Sequence, residues 1–237
     1  MIISVIILFI VFALIAVRQI GTIKMQIWQI MFLGALATIV TGQIGLRDAL
    51  SSINLDVIMF LFGMFIIGEA LERSGYLSYL ASKLFRNSKN SSQAIFIIIF
   101  GSGLLAAILM NDTIAIIGTP IVLMLAFRQH INPKLLLLAL AFSITIGTVM
   151  SPIGNPQNLL IALNDGIREQ FIAFTKYLFI PTIINLFITY FILKFFYKNE
   201  FNKKIKNDSR AIIKDKHLAN LSKYSLIMII ILIGVME

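Results

Sequence analysis

The sequence predicts an all-α membrane protein with about six transmembrane elements, among them a re-entrant helical hairpin and a broken helix. Of its 237 residues, 59% are hydrophobic and only 13% are charged, whereas a soluble domain is about 25% charged. The longest apolar run, residues 94–127, contains a single ionisable side chain, Asp112. A second polar interruption, residues 151–158, also lies between apolar runs. Both features are costly in a membrane and therefore favour a functional interpretation.

The residue types exclude several classes of protein. Cysteine is absent, so neither a disulfide framework nor thiolate chemistry is available. The two histidines, His130 and His217, lie in polar connections, and the sequence has no zinc or phosphate-loop motif. No reactive pair lies in an apolar run, so we expect neither an enzyme nor a cofactor. The net charge of +9 is concentrated beside apolar runs near the C-terminus, which favours a cytoplasmic loop facing anionic lipid over nucleic-acid binding.

The first three predicted spans cover residues 2–17, 25–44 and 54–71. The first span has no basic residue ahead of it and is followed by Arg18 and Lys24. This asymmetry disfavours a cleaved signal peptide and favours a span whose N-terminus lies outside. After the third span, residues 76–85 carry leucines at helical spacing beside polar residues, which indicates a short helix in the membrane interface.

The later apolar runs complete a predicted first domain, residues 1–197. They are the hairpin 94–127, the broken helix 134–163 and a span over 177–197. A basic cytoplasmic loop is predicted at 198–223. Residues 224–237 begin a further span with about 13 apolar residues, which is too short to cross the ~30 Å hydrocarbon core.

Length and charge together predict how the run 94–127 is folded. As one helix its 34 residues would be about 51 Å long, well beyond the ~30 Å core. A hairpin with its tip at residues 111–113 instead returns the chain to the side it came from. The hairpin places 17 of the 20 Lys and Arg side chains on one side, whereas a single span splits them 8 against 12. The positive-inside rule favours the hairpin, and its polar tip favours re-entry over two full crossings, which charge alone leaves open.

The predicted tip, Asn111-Asp112-Thr113, has chemistry suited to ions. Asn and Asp are strong N-cap residues, so Asn111 or Asp112 is expected to start a helix over 113–127 and to aim its partly positive end into the protein. An anion would bind the free amides there. Na⁺ would bind the Asn111 amide oxygen, the Asp112 carboxylate and the Thr113 hydroxyl. Pro120 is expected to kink this arm. The alternative is that the triplet only caps a helix at an aqueous loop.

The second polar interruption follows Gly147 and Thr148, where a leucine-rich run ends. Pro152 and Pro156 forbid an uninterrupted helix, and Gly154 permits backbone angles that other residues avoid. The freed carbonyls need partners, and the nearby polar side chains are Ser151, Asn155, Gln157 and Asn158. A substrate or an ion would use the same groups. The alternative is an ordinary polar loop between two spans.

The two motifs resemble those of a known family. Asn111-Asp-Thr-Ile-Ala-Ile-Ile-Gly-Thr-Pro120 and Gly147-Thr-Val-Met-Ser-Pro-Ile-Gly-Asn-Pro-Gln-Asn158 are similar to the hairpin-tip and unwound-helix motifs of the ion transporter superfamily. That superfamily includes the arsenical pump membrane protein, related sodium/proton antiporters, citrate transporters and divalent anion/sodium symporters. The resemblance covers roughly residues 25–200. Asp112 departs from the Ser-Asn-Thr tip of the dicarboxylate branch and is closer to the arsenite and sodium/proton branches.

The resemblance implies a mechanism in which a hairpin and a broken helix bind substrate and coupling ion and move as an elevator against a scaffold. The tip motif matches Asn111, Asp112 and Thr113. The unwound-helix motif matches Gly147, Thr148, Gly154, Asn155, Pro156 and Asn158, and Ser151 is a further candidate ligand beside them. The implied function is secondary active transport of a small inorganic or organic anion, coupled to Na⁺ or H⁺. The alternatives are a sodium/proton antiporter of the same fold and a membrane fragment without transport of its own.

The resemblance also implies two inverted repeats, each with its own hairpin. A second tip motif is not visible in the sequence, so we interpret the chain as the first repeat. The expected partners are the lipid bilayer, a small anion, and either a separate second-half polypeptide or a second copy of the chain. The expected location is the plasma membrane, with the N-terminus outside and the loop 198–223 in the cytoplasm.

Overall fold

The structure is a computed structural model that describes residues 2–17, 19–20, 23–85, 88–164, 169–205 and 213–236. Helices dominate these ranges, and the β-structure described there is one pair of two-residue strands and one isolated bridge. The prediction of an all-α membrane protein is therefore confirmed. Arg18 and residues 206–212 of the predicted basic loop lie outside the described residues. The chain divides into two compact units, Met1–Asp56 and Val57–Glu237.

The first unit consists of short helices. They are α1 (Ile2–Val17), α2 (Ile27–Val40) and α3 (Leu46–Ser51), with strands β1 (Gln19–Ile20) and β2 (Ile23–Lys24) paired antiparallel between α1 and α2. Helix α1 has the bounds of the predicted first span, whereas α2 is shorter than the predicted 25–44. It gives way to a turn in which Gly42 has a φ of 67°, outside the right-handed helical region. Helices α1 and α2 approach closely at Gly34, where a Cβ atom would lie 2.4 Å from Val11 Cγ2.

The second unit holds the remaining described helices, the longest of which has 27 residues. In chain order they are α4 (Leu55–Arg73), α5 (Tyr76–Phe85), α6 (Ser91–Leu109), α7 (Asn111–Gln129), α8 (Pro133–Gly147), α9 (Pro156–Asn164), α10 (Gln170–Phe196) and α11 (Lys216–Met236), with 3₁₀ turns at Thr148–Met150 and Lys198–Glu200. Four segments among the described residues are long and apolar enough to cross a membrane: α6, α7, α8 with its 3₁₀ turn, and α10. Helix α10 begins earlier than the predicted 177, and the predicted interfacial segment 76–85 forms α5.

Local sequence signals explain where the central helices begin. The side chain of Asn90 accepts a hydrogen bond from the Gln93 amide at the start of α6. At the start of α8, Asn132 accepts from the Lys134 amide, and Pro133 occupies the first helical position. Asn is among the best capping residues, and proline is tolerated in the first turn because no helix bond is lost there. Both helices therefore start at residues that their sequence selects.

Helix α8 lies at the centre of the second unit and packs against α6, α7 and α10. Its contact with α6 is made by small residues: a Cβ atom on Gly147 would lie only 2.0 Å from the Gly103 carbonyl oxygen. One turn away, the hydroxyls of Ser102 and Ser143 are 2.6 Å apart. Small residues and interhelical hydrogen bonds replace the hydrophobic effect as the source of helix association in lipid. These contacts fix the position of the break at the end of α8.

Helices α6 and α7 form a hairpin whose two ends meet the same short segment. The Ser91 hydroxyl, at the start of α6, donates to the Glu200 carbonyl. The Lys203 ammonium donates to the carbonyl of His130, just after α7. The chain therefore reverses direction at Met110. Each arm has 19 residues, about 28 Å at 1.5 Å per residue, so re-entry rather than two crossings stays a prediction.

Candidate functional site

The hairpin turns at a single residue, Met110. Its φ of 69° and ψ of 151° lie outside the regions favoured by residues with a side chain. The Met110 side chain is fully buried, so surrounding packing holds the turn in this conformation. The sequence contained no glycine or proline to indicate a one-residue turn here. The predicted tip, 111–113, lies immediately after it in the first turn of α7.

The predicted cap of α7 is wrong. The helix begins at Asn111, not at Thr113, and its N-cap is Met110, which makes no side-chain capping bond. The Asn111 side chain instead accepts from the neighbouring Asp112 amide at 2.8 Å. The backbone amide of Asn111 donates to a different partner, the Gly154 carbonyl oxygen, at 3.0 Å. A distant backbone carbonyl thus accepts from the first amide of α7, and the Asn111 side chain accepts from the second.

The bond between Asn111 and Gly154 joins the two motifs that the sequence singled out. Asn111 belongs to the hairpin tip, and Gly154 lies in the interruption between α8 and α9. Helix α7 therefore begins beside the place where α8 ends. An arrangement of this kind places a partly positive helix N-terminus next to a partly negative helix C-terminus within the fold.

The other two tip residues have different surroundings. Thr113 is buried against Gly68 of α4. A Cβ atom added at Gly68 would lie 2.7 Å from Thr113 Cγ2 and 3.0 Å from the Thr113 hydroxyl oxygen. Asp112 is exposed in the first turn of α7. A carboxylate at this position is favoured by the partial positive charge at the helix N-terminus. Gly68 is a residue of the site that the sequence analysis missed, since an isolated glycine in an apolar helix gives only a weak signal.

The interruption after α8 is braced by Asn158. Its side-chain amide nitrogen donates to the Thr148 carbonyl at 3.0 Å and to the Ser151 carbonyl at 2.9 Å. Asn155 accepts from the Asn158 backbone amide at 2.7 Å and so caps α9. The Thr148 and Ser151 carbonyls, which were expected to need partners, thus accept from Asn158 and also from the Ser151 and Gly154 backbone amides.

Glycine and proline shape the rest of the interruption. A Cβ atom on Gly154 would lie 2.3 Å from the Thr148 carbonyl oxygen, so only glycine fits. Pro156 is the first residue of α9, where its missing amide costs no helix bond. Pro152 is buried in the turn between the helices. Pro120 lies inside α7, which stays helical through it and loses only the bond to the Ile116 carbonyl.

Most candidate residues thus lie along one connected strip. The interruption contains Thr148, Ser151, Gly154, Asn155 and Asn158. The Asn111 backbone amide is hydrogen-bonded to it at the Gly154 carbonyl. Gly147 faces α6 instead, where it permits close helix packing. The described residues contain no group of three or more His, Cys, Asp or Glu side chains that would hold a metal ion. The Na⁺ site at Asn111, Asp112 and Thr113 remains a prediction based on amide, hydroxyl and carboxylate oxygens.

Comparison with known proteins gives relatives that are named as transporters. A silicon efflux transporter of Oryza sativa subsp. japonica is 37% identical over 142 residues, which are 60% of this chain and 29% of that protein. A protein of Dictyostelium discoideum carrying the transporter name arsB is 27% identical over 180 residues, 76% of this chain and 32% of its own length. The P protein of Mus musculus is 29% identical over 195 residues, 78% of this chain and 23% of its own.

The matched region is therefore about a quarter to a third of the length of these curated relatives. No solved structure matches the chain. The family model described as citrate transporter matches residues 6–237, nearly the whole sequence, which confirms the resemblance indicated by the two motifs. The chain belongs to the citrate transporter family.

Proposed function

We propose that the chain forms the substrate-binding half of a secondary active transporter, a permease for small anions of the arsenite or citrate type. The observation that carries the proposal is the 3.0 Å hydrogen bond from the Asn111 backbone amide to the Gly154 carbonyl. This bond brings the hairpin tip to the interruption of the broken helix. In membrane proteins, irregular backbone is tolerated where it is shielded by protein or lines a cavity. Two such breaks that meet are the arrangement by which transporters bind a solute between half-helices.

Each group at the junction has a proposed role. The N-terminus of α7 attracts the anion, because its first amides carry partial positive charge. The Asp112 carboxylate and the Asn111 amide oxygen bind the coupling cation. Asn158 and Asn155 hold the interruption open in the geometry required, with the Asn158 Oδ1 atom left for the ligand. Thr113 fixes the tip against Gly68 of α4.

The nature of the solute follows from the same groups. The described tip carries backbone amides and one carboxylate, but no Lys or Arg side chain, so a small anion would arrive together with a cation. The family is named for citrate, which is a small oxygen-rich anion, and one relative is named for silicon efflux. We therefore propose a small, oxygen-rich anion or acid as the substrate class.

Flux in proteoliposomes tests the proposal. Cation-driven uptake of citrate, arsenite and silicate is measured for the parent chain and for Asp112→Ala. The control is Asp48→Ala, which removes an exposed carboxylate from α3. We expect flux of at least one solute in the parent and the control, and its loss in Asp112→Ala. Equal flux in all three proteins would remove Asp112 from the mechanism, and no flux in any of them would contradict transport by this chain alone.

A sodium/proton antiporter of the same fold is the second candidate. It is favoured by Asp112, the single carboxylate of the hairpin, which lies exposed at its tip. An antiporter would exchange Na⁺ for H⁺ at this group without any anion. A transport rate that does not change with pH would contradict this candidate, whereas Na⁺-dependent proton release without added anion would support it.

The remaining parts of the proposal concern assembly and orientation. The relatives are three to four times longer than the region they share with this chain, so we propose that a second repeat completes the transporter, as a separate polypeptide or a second copy. We place the assembly in the plasma membrane, with the N-terminus outside and residues 198–223 in the cytoplasm, because the Lys and Arg side chains cluster there.

A further inference from the structure

The segment that follows α10, residues 198–205, holds three helix ends together. A 3₁₀ turn at Lys198–Glu200 leads into Phe201, whose side chain is 2% exposed and lies 5.5 Å from the Tyr190 ring. This aromatic contact anchors the segment to α10. The following residues then reach the start of α6, the end of α7 and the start of α8.

The start of α6 is bound through the backbone. The Ser91 amide donates to the Lys203 carbonyl at 2.9 Å, and the Ser91 hydroxyl accepts from the Lys203 amide at 3.2 Å. The same hydroxyl donates to the Glu200 carbonyl. Lys204 forms an antiparallel bridge with Asn90, one residue earlier. The bond donated by the Ser91 backbone amide uses a donor that the helix start leaves without a partner in its own helix.

The other two helix ends are bound through an ion pair. The Lys203 ammonium lies 2.9 Å from both carboxylate oxygens of Glu200. It also donates to the His130 carbonyl at the C-terminal end of α7. Glu200 accepts from the backbone amide of Asn132, the N-cap of α8, at 2.8 Å. Each charge therefore lies at a helix end of the opposite partial charge, the cation at a C-terminus and the anion at an N-terminus.

This pair differs from an ordinary surface ion pair. Exposed ion pairs contribute little to stability, since water and salt screen the attraction between the two charges. The Glu69–Arg73 pair on α4 is of that kind, with side chains 54% and 74% exposed. The Glu200 and Lys203 side chains are 20% and 38% exposed, and both also bind backbone groups of the hairpin and α8. Removing either partner would leave a charge and a helix end without a partner.

We propose that residues 198–205 act as a clamp, in which Glu200 and Lys203 position the base of the hairpin against the start of α8 so that the tip and the interruption move together. Glu200 and Lys203 are positioning residues, because they lie at the opposite end of α6 and α7 from Met110 and the candidate ligands. The proposal rests on the proposed function only where it concerns transport. Its structural part is tested without any substrate.

Distance measurement between spin labels tests the clamp in the full chain, which has no native cysteine. Labels are attached at Lys89→Cys, just before α6, and Arg128→Cys, in the last turn of α7, both exposed positions. Pulsed EPR in lipid nanodiscs should give one narrow distance distribution. Glu200→Gln should abolish the single narrow peak. Glu69→Gln, the matched control, should leave it unchanged.

Two further variants separate the positions of the charges from the ion pair itself. Lys203→Arg keeps the charge and the donors, so it should retain the narrow peak. The exchange Glu200→Lys with Lys203→Glu preserves an ion pair but places each charge at the wrong helix end, so the peak should remain lost. A narrow peak in Glu200→Gln, or its recovery in the exchange variant, would overturn the clamp.

Transport kinetics test the second half of the proposal. With whichever of citrate, arsenite and silicate the parent chain carries, Glu200→Gln should raise KM, since a loosened hairpin no longer presents a preformed site. Lys203→Arg should keep the KM of the parent chain. An unchanged KM in a variant that has lost its narrow distance peak would overturn the positioning role. A failure of the proposed function is distinct from either result, because it is recorded as absent flux in the parent while the EPR measurement is unaffected.

Discussion

At the scale of single residues, the side chain of Asn158 illustrates how a polar group shapes the backbone of the site. Its side-chain amide nitrogen bridges the Thr148 and Ser151 carbonyls, which lie at the start of the 3₁₀ turn after α8 and just after that turn. Each hydrogen bond inside a protein contributes about 0.5–1.5 kcal/mol to its stability. We therefore regard Asn158 as the residue that makes the interruption a defined structure.

Replacement of Asn158 by leucine should destabilise the fold strongly. The change keeps the side-chain size but removes both donated bonds, while the Ser151 and Gly154 backbone amides still donate to the same two carbonyls. We therefore expect a loss of about 0.5–1.5 kcal/mol for each of the two bonds. The measurement is the free energy of unfolding of the purified chain in mixed micelles, titrated with SDS. Asn185→Leu is the control, because Asn185 donates to one carbonyl of its own exposed helix surface and its loss should matter little. Equal effects of the two changes would contradict the bracing role.

We make a second prediction at this scale for Gly147. A Cβ atom there would lie 2.0 Å from the Gly103 carbonyl oxygen, which is rigid backbone, so Gly147→Ala must push α8 and α6 apart. Overpacking of this kind costs about 1–3 kcal/mol. Gly101→Ala on the same α6 meets nothing within 4 Å and should be neutral or stabilising, since alanine favours helix by about 1 kcal/mol. Thermal unfolding of both variants in detergent distinguishes them, and a stable Gly147→Ala would show that the helices have room to move.

At the scale of elements, the hairpin contains two residues with positive φ that should respond in opposite ways to glycine. Met110 forms the turn at the tip, and His130 ends α7 with a φ of 53°. Glycine relieves the backbone strain at either position by about 1 kcal/mol. The Met110 side chain is fully buried, and its removal costs about 2–5 kcal/mol, whereas His130 is exposed. Met110→Gly should therefore destabilise the chain and His130→Gly should stabilise it, as measured by SDS unfolding. A stabilised Met110→Gly would show that strain, not packing, dominates the tip.

The segment 198–205 carries a prediction about acid. Burial raises the pKa of Glu200, but hydrogen bonds from Lys203 and the Asn132 amide, with the Lys203 charge, outweigh it and hold the pKa below its ordinary 4.5. A lowered pKa in the folded state means that the carboxylate stabilises the fold above pH 4.5 and that this contribution is lost as pH falls through the lowered pKa. The thermal midpoint of the parent chain should consequently fall more than that of Glu200→Gln between pH 5 and pH 3. If the thermal midpoints of the two proteins fell by the same amount between pH 5 and pH 3, the Glu200 carboxylate would not be the source of the pH dependence.

At the scale of the whole molecule, the sequence predicted the membrane fold and the two motifs better than it predicted how they meet. The apolar length of 94–127 and the positions of Lys and Arg were sufficient to indicate a hairpin, because both act along the chain. The bond from Asn111 to Gly154 depends on how α7 packs against α8, and no local pattern specifies that packing. The error in the predicted start of α7 has the same origin, since a distant carbonyl accepts from the backbone amide of its first residue, Asn111.

The family match strengthens the interpretation of the tip and the interruption without assigning their roles. The relatives share only part of their length with this chain, so its activity depends on the experiments proposed above. The clamp at 198–205 escaped the sequence analysis, which treated the region as a basic loop. Its Lys and Glu side chains look ordinary in sequence, and their importance arises from the helix ends beside them.

Thiol labelling tests the orientation of the second unit in the membrane. Lys89 lies at the base of the hairpin with Glu200, while Lys176 lies near the start of α10, at the opposite end of that helix. The excess of Lys and Arg at the base predicts that it faces the cytoplasm. An impermeant maleimide applied to intact cells should therefore label Lys176→Cys but not Lys89→Cys, which should react only after permeabilisation. Helix α10 has 27 residues and is therefore about 40 Å long, which is enough for its two ends to lie on different sides of the membrane. Labelling of both positions from the outside would mean that α10 does not cross the membrane, and the reverse pattern would mean that the predicted orientation is inverted.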